Sequence, residues 1–269
     1  MTQAPGKPPY SAPWLWRLIA TGLSFFLFGL GGLVLRLAVF PLLGLLASDA
    51  TDHRRRSRQA ISKTFHLFVQ FMYRSGVLTY QIEGAERLGR PGQMVIANHP
   101  SLIDVVVLIS LIPDANCVVK QSLWHNPFTR GPLRAAQYIS NSGSMDMLDE
   151  AADALQQGQT LVIFPEGTRT MPGQPPDFHR GAAAIALRGA RVVTPVTISV
   201  TPTTLTKAEP WYSIPSRRFH FRLRVGQDID PQAFAQMGPA PVASRKLNDC
   251  LHQHYLKELA TDERSANGN

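Results

Sequence analysis

The hydrophobic and polar positions divide the chain into an apolar front end and a longer region of short alternating elements. Residues 18–35 contain no charged side chain, and apolar character resumes after Arg36 and continues to residue 47. A run of 18 or more apolar residues is long enough to cross a bilayer. Because Arg36 and Pro41 interrupt the pattern, it predicts either one tilted span or a helix–break–helix hairpin within one leaflet.

Beyond residue 58 the apolar spacing changes repeatedly between helical and extended periods. Helical spacing predicts a helix over residues 59–80 and a last amphipathic helix over residues 242–259. Between them the pattern predicts strands at residues 94–97, 116–120, 161–164, 192–200 and 219–225, with helices that end near residue 111 and that cover residues 146–157 and 182–188. This alternation is typical of an α/β domain with a mixed, largely buried central sheet flanked by helices.

The predicted organisation has three parts. Residues 1–58 form an N-terminal membrane-anchoring helical segment with a basic linker, residues 59–260 form the catalytic domain, and residues 261–269 form a disordered tail. The linker carries the arginines 54–56 and Arg58 directly after the apolar run. Cations in that position mark the cytoplasmic side of a membrane and attract anionic lipid. We therefore expect the catalytic domain on the cytoplasmic face of the inner membrane.

Charge and cysteine content narrow the class of partner. The formal net charge of +8 favours nucleic acid, acidic lipid headgroups or an acidic carrier protein. The chain contains no recognised DNA- or RNA-binding motif, so nucleic acid is the least favoured of these partners. Two cysteines without a C-x-x-C pair give no support for a disulfide framework or a cysteine-rich zinc site.

His99 and Asp104 are the first pair of residues that indicate chemistry. They are spaced as H-x-x-x-x-D directly after the predicted strand at residues 94–97. Pro100 excludes His99 from helical backbone and suits the first helical position, so His99 should lie in a turn with Asp104 on the helix that follows. A carboxylate in that place orients an imidazole as a general base. Since no G-x-S-x-G, P-loop or H-E-x-x-H motif occurs, the substrate would supply the attacking hydroxyl.

A second motif runs from Phe164 to Arg169 and reads FPEGTR. Gly167 permits close backbone approach, and the planar guanidinium of Arg169 matches a phosphate or a carboxylate. Taken alone, the motif is equally consistent with a surface turn that contains a structural Glu–Arg pair.

The two motifs together, in this order and some sixty residues apart, resemble the lysophospholipid (1-acyl-sn-glycerol-3-phosphate) acyltransferase family. Four further blocks support the resemblance, at residues 120–123, 126–128, 178–181 and 192–196. The similarity covers about residues 80–230.

The resemblance implies a set of roles. His99 is the general base and Asp104 its orienting partner. Pro195 shapes the acyl pocket. The implied substrate-binding residues are Glu166, Gly167, Thr168, Arg169, Lys120 and Arg180. The family takes its acyl group from acyl carrier protein (ACP) or coenzyme A (CoA) thioesters as co-substrates, and it needs no metal, cofactor or covalent intermediate.

One departure from the family pattern leaves the acceptor open. Residues Ile139, Ser140 and Asn141 stand where the family usually has an Ile-Asp-Arg-like block. The expected reaction is O-acyl transfer to the free hydroxyl of a lysophosphatidic acid or similar lysophospholipid. The alternatives are the same chemistry on a non-standard acceptor in specialised lipid or polyene-type biosynthesis, and a non-catalytic membrane-binding homologue. If the acceptor is a lysophosphatidic acid, Arg130, Arg134 or Arg180 would replace the missing phosphate-binding cation.

Overall fold

The computed structural model describes residues 13–207 and 209–267, and within them a single sheet is flanked by helices on both faces. The helices are α1 (Trp14–Val34), α2 (Phe40–Leu46), α3 (Ala50–Arg74), α4 (Asp104–Ser110), α5 (Arg130–Ala135), α6 (Met145–Gln156), α7 (Gly181–Gly189), α8 (Pro231–Ala235) and α9 (Ala240–Asn267). The strands are β1 (Leu78–Glu83), β2 (Gln93–Ala97), β3 (Ala115–Lys120), β4 (Ile139–Asn141), β5 (Thr160–Ile163), β6 (Val192–Thr201) and β7 (Phe219–Val225).

The seven strands lie in the order β1-β7-β6-β2-β5-β3-β4. All neighbouring strands are parallel except β6 and β7, which are antiparallel. The sheet is therefore mixed, and the predicted fold class is confirmed. The five strands that the sequence predicts are all present in the sheet.

The helix predicted over residues 59–80 is wrong at its end. α3 stops at Arg74, and Gly76 adopts a left-handed backbone with φ +79°, which ends helices readily. From Leu78 onward buried and less buried residues alternate, as in a strand with one covered face. These residues form β1, which pairs with β7 at one edge of the sheet.

The core has two layers because side chains of a strand point alternately to opposite faces. Val95 and Ala97 of β2 pack towards α3 and α4, whereas Met94 and Ile96 pack towards α6, α7 and α9. All four side chains are fully buried. β2 therefore runs through the centre of the domain and ends at a rigid edge.

The apolar front end forms one continuous helix, Trp14–Leu46, in which a π-helical segment, Leu35–Val39, joins α1 to α2. It is long and apolar enough to cross a membrane. Arg36 lies in the π-helical segment, and Pro41, which has no N–H to donate, lies just after it at the start of α2. The helix therefore continues through both predicted interruptions.

Two predicted domain limits fall inside helices. α3 is continuous through residue 58, where the linker was expected to give way to the domain. α9 continues past residue 260 to Asn267, and Asp262 within it lies 2.8 Å from the Arg224 guanidinium of β7. This ion pair ties the extra turn of helix to the sheet. Residues 268 and 269 lie outside the described residues.

Candidate active site

The carboxyl ends of β2, β5, β3 and β4 meet at one edge of the sheet because these strands are parallel. His99 follows β2, Glu166 follows β5, Lys120 ends β3 and Asn141 ends β4. Ligands of α/β sheets bind outside the carboxyl ends of strands. The topology thus collects both sequence motifs at an edge that favours a binding site.

His99 and Asp104 are in contact. His99 Nδ1 lies 2.8 Å from Asp104 Oδ2, and the Ser101 backbone N–H donates to the same oxygen at 2.7 Å. Asp104 is fully buried, while the His99 side chain remains 16% exposed. Because the carboxylate accepts, Nδ1 carries the proton and Nε2 is the basic nitrogen. The turn predicted from Pro100 accounts for this pairing.

Burial sets the electrostatics of the Asp104 carboxyl. Burial raises its pKa, while the hydrogen bond from His99 and the Ser101 N–H act in the opposite direction. The ionised carboxylate therefore depends on these two donors. An imidazole that takes a proton becomes positively charged, and the negative charge of the same carboxylate stabilises it.

Glu166 is attached to the backbone of the same turn. Its Oε1 accepts from the His99 N–H at 2.9 Å, and its Oε2 is buried without a hydrogen-bond partner among the described residues. Burial raises the pKa of Glu166 to about 7. The hydrogen bond from the His99 N–H acts against this rise, and the negative charge of Asp104 adds to it. Glu166 thus stands close to the point of half-protonation at neutral pH while it holds the backbone of His99.

The remaining motif residues differ in their surroundings. Arg169 Nη1 donates to the carbonyls of Leu205 and Thr206 at 2.8 and 2.9 Å. Gly167 has φ +63°, and a Cβ there would meet the His179 ring at 3.5 Å. The side chains of Thr168, Lys120 and Arg180 are exposed. Arg169 therefore braces a loop, and the exposed three remain available to a substrate.

Several contacts of the site were not predicted. The Phe164 ring lies 4.5 Å from the His99 ring between centroids, and the Thr170 N–H donates to the His99 carbonyl at 3.0 Å. The loop 202–206 closes over the turn, since Ser101 Oγ donates to the Thr204 carbonyl at 3.0 Å. Phe164 belongs to the second motif and was within reach of sequence reasoning. The sequence of this loop contains no motif from which its position near His99 could be predicted.

Two cavities border the site. One is an apolar cavity of about 290 Å³ between α1, α3 and the turn that follows β2. The other is an open groove of about 790 Å³ on the face of the sheet that carries α9. Pro195 lies in neither lining; it sits in β6 beside Ile96 of β2.

Comparisons with known proteins agree with this architecture. Residues 79–199 match the model of the family described as Acyltransferase. A 1-acyl-sn-glycerol-3-phosphate acyltransferase of Helicobacter pylori is 25% identical over 213 residues, which cover 77% of this chain and 82% of that one. A putative 1-acyl-sn-glycerol-3-phosphate acyltransferase of Caenorhabditis elegans is 31% identical over 168 residues, which cover 58% of this chain and 55% of that one.

The fold matches a solved structure as well. The crystal structure of the 1-acyl-sn-glycerophosphate acyltransferase PlsC from Thermotoga maritima superposes with a TM-score of 0.69 at 21% identity, and the match covers 91% of this chain and 98% of that one. The segment matched by the family model contains His99, Asp104, Glu166 and Arg169. The resemblance carried by the two motifs is confirmed: residues 79–199 match the acyltransferase family model, and the protein is an acyltransferase.

Proposed function

We propose that this enzyme transfers a fatty acyl group from an ACP or CoA thioester to the free hydroxyl of a lysophosphatidic acid. The observation that carries the proposal is the 2.8 Å pair of His99 and Asp104 at the carboxyl end of β2. The one hydroxyl in the same turn, that of Ser101, already donates to the Thr204 carbonyl. The attacking oxygen is therefore assigned to the substrate.

The reaction follows from this arrangement. His99 Nε2 takes the proton of the acceptor hydroxyl as its oxygen attacks the thioester carbonyl, and Asp104 stabilises the imidazolium that forms. When the tetrahedral intermediate collapses, the carbon–sulfur bond breaks and the proton on His99 passes to the departing thiolate. The thioester is a co-substrate, and the reaction requires no metal and no cofactor.

The apolar cavity supports a fatty acyl group as the transferred unit. Phe28, Phe68 and Met72 line it on one side, and Leu102 and Ile103 of the catalytic turn line it on the other. Burial of each methylene is worth about 0.8 kcal/mol, so an acyl chain is a favourable occupant. A chain held there has its carbonyl end directed to the turn that carries His99.

Cations at the carboxyl edge support a phosphate-bearing acceptor. Lys120 and Arg180 are exposed, and exposed Thr168 offers a hydroxyl donor two residues after Glu166. In this proposal Glu166 and Gly167 fix the backbone against which the acceptor lies, and Arg169 fixes the loop above it. The names of the relatives supply the acceptor class, and these side chains are consistent with it.

The front-end helix supports binding to a membrane surface, with the whole domain on one side of it. Its 33 residues measure about 50 Å, well above the ~30 Å hydrocarbon core of a bilayer. It is held to the domain near both ends, since Trp16 Nε1 donates to the Ser75 carbonyl at 2.8 Å and Arg36 Nη1 to the Pro127 carbonyl at 3.0 Å. We therefore propose that the helix lies along one leaflet, the cytoplasmic leaflet of the inner membrane, rather than crossing it.

A second acceptor class is favoured by one observation. Ser140 and Asn141, in place of the family's acid and cation, lie in β4 at the same edge as the base. The deciding experiment offers purified enzyme a panel of lysophosphatidic acid, other lysophospholipids and non-phosphorylated hydroxyl lipids, each with palmitoyl-ACP and palmitoyl-CoA. Formation of phosphatidic acid, measured by mass spectrometry, supports the proposal. Transfer to another acceptor alone refutes the acceptor assignment, and no transfer to any acceptor indicates the non-catalytic alternative.

A further inference from the structure

Three arginines and a histidine line the open groove. Its floor is the outer end of β6 and β7, where Ser199 pairs with Arg222 and Thr201 with His220. Arg217 and Arg218, directly before β7, form its rim. We refer to this surface, defined by Arg217, Arg218, His220 and Arg222, as the basic groove.

The catalytic turn separates the basic groove from the apolar cavity. Asn98 and Pro100, on either side of His99, line the groove, whereas Leu102 and Ile103 line the cavity. Two further segments divide in the same way. In the first segment, residues 201 and 203 line the groove, whereas residues 204 and 205 line the cavity. In the second, residues 217 and 218 line the groove, whereas residues 215 and 219 line the cavity. A single extended ligand that occupies both spaces must therefore pass the turn that carries His99.

The positive charge of the groove is only partly neutralised. Arg222 pairs with Glu83 at 2.9 Å and faces Asp262 at 3.6 Å. Arg217 and Arg218 have no ion pair among the described residues, and Nη1 of Arg218 is shielded from solvent without a hydrogen-bond partner there. A shielded, unpartnered guanidinium nitrogen is costly, and an anionic ligand that accepts from it removes the cost.

The cationic rim is fixed relative to the front-end helix. Arg17 of α1 donates to the Pro215 carbonyl at 3.0 Å and also to the Ser216 carbonyl. These two residues lead directly into Arg217 and Arg218. The rim is thus held by a hydrogen-bonded contact from α1, which makes it a preorganised site rather than a free loop.

Distance decides which phosphate suits this site. Asn98 is hydrogen-bonded to Ile198 of β6, and Thr201, three residues further along, pairs with His220. At ~3.3 Å per residue, His220 lies about 10 Å from Asn98 when the distance is measured along β6. Arg218 lies two residues further from Asn98 than His220 does. The phosphate of a lysophosphatidic acid is on the carbon next to the reacting hydroxyl, so it stays near His99. The phosphate of an acyl donor is separated from the thioester by the long pantetheine arm.

From this geometry we infer that the basic groove binds the phosphorylated end of the acyl donor. The pantetheine phosphate, and in CoA the nucleotide phosphates, lie against Arg217 and Arg218, the thioester lies at His99 and the acyl chain fills the apolar cavity. This inference rests on the proposed function, because it assigns a place to the donor of that reaction. It makes the groove a determinant of donor affinity and leaves the acceptor to the other end of the edge.

The test removes the rim charges and compares a phosphorylated donor with a donor that has no phosphate. The double variant Arg217→Gln/Arg218→Gln is measured beside Arg245→Gln/Lys246→Gln, which removes the same charge from exposed positions on α9 outside the groove. KM is determined for palmitoyl-CoA, for palmitoyl-pantetheine without phosphate, and for lysophosphatidic acid. We expect KM for palmitoyl-CoA to rise about 10-fold or more in the rim variant alone. The other two KM values should remain unchanged.

Other outcomes overturn the inference. A rise in KM for lysophosphatidic acid with an unchanged palmitoyl-CoA value assigns the groove to the acceptor, and no change in either value leaves the groove without this role. If the wild type transfers no acyl group, the proposed function fails, and calorimetric binding of free CoA then decides the inference. An affinity for CoA about 10-fold weaker in the rim variant than in the wild type supports it. Equal affinities, or no binding of CoA by the wild type, refute it. Should the double variant fold poorly, Arg217→Gln alone, at an exposed position, must show a smaller rise in the same direction.

Discussion

Replacing Asp104 with asparagine tests the orienting role at the least structural cost. In the native turn Asp104 Oδ2 accepts from both His99 Nδ1 and the Ser101 N–H. An asparagine of the same shape keeps the Ser101 bond through its carbonyl oxygen. The same oxygen can still accept from His99 Nδ1, but it carries no negative charge to stabilise the imidazolium that forms when the base takes its proton.

The expected loss follows from the missing negative charge. General-base catalysis contributes about 10²–10⁴-fold, so Asp104→Asn should lower kcat by that factor, equivalent to about 3–5 kcal/mol of transition-state stabilisation. The KM values should change little, because Asp104 is fully buried beneath His99 and does not reach the substrate. The assay is acyl transfer to lysophosphatidic acid with a saturating thioester.

Stability provides the control for this variant. Burial raises the pKa of Asp104, so the ionised carboxylate costs folding free energy at neutral pH and the neutral amide does not. The thermal midpoint of Asp104→Asn should therefore equal or exceed that of the wild type. A stable variant that loses less than about tenfold in kcat would refute the orienting role. A variant with a strongly lowered midpoint would show that Asp104 mainly holds the fold.

Three further predictions concern Glu166, Arg169 and the front-end helix. Burial raises the pKa of Glu166 from 4.5 to about 7, so between these pH values the folded protein keeps a proton that the unfolded chain releases. The free energy of unfolding should therefore fall as the pH rises from 4.5 to about 7. Glu166→Gln should make this fall smaller in urea unfolding measured at a series of pH values. Arg169→Lys should lower unfolding free energy by about 1–3 kcal/mol, since Arg169 bonds two loop carbonyls, and an unchanged urea midpoint would contradict the bracing role. Phe26→Ser/Leu37→Ser, at side chains 63% and 66% exposed, should weaken vesicle binding more than about tenfold, whereas exposed Met145→Ser should not.

Most of the sheet and the His99–Asp104 contact could be predicted because local rules determine them. β2, β5 and β6 are buried runs of apolar residues, and burial on both faces leaves such a run few alternatives. The His99–Asp104 contact follows from Pro100, which sets the turn before the helix begins. These inferences use neighbours within a few residues, and the structure agrees with them.

The parts that were missed depend on distant contacts. β1 was predicted as helix because its apolar residues continue the spacing of α3, and only the left-handed Gly76 and the pairing with β7 decide otherwise. The loop 202–206 reaches the turn after β2 through its own backbone carbonyls, which any loop sequence offers. The basic groove needs β1, β6, β7 and α9 together, so the arginines of residues 217–224 gave only a charge pattern.

The most direct test of the central claim is acyl transfer by purified wild type beside His99→Ala, with palmitoyl-ACP and palmitoyl-CoA as donors and lysophosphatidic acid as acceptor. His99 is partly exposed and its ring packs on Phe164, so the variant should fold, which circular dichroism checks. The account predicts phosphatidic acid from the wild type and a fall of at least about 10²-fold in the variant. Transfer that survives in a folded His99→Ala variant at wild-type rate would contradict the assignment of the base.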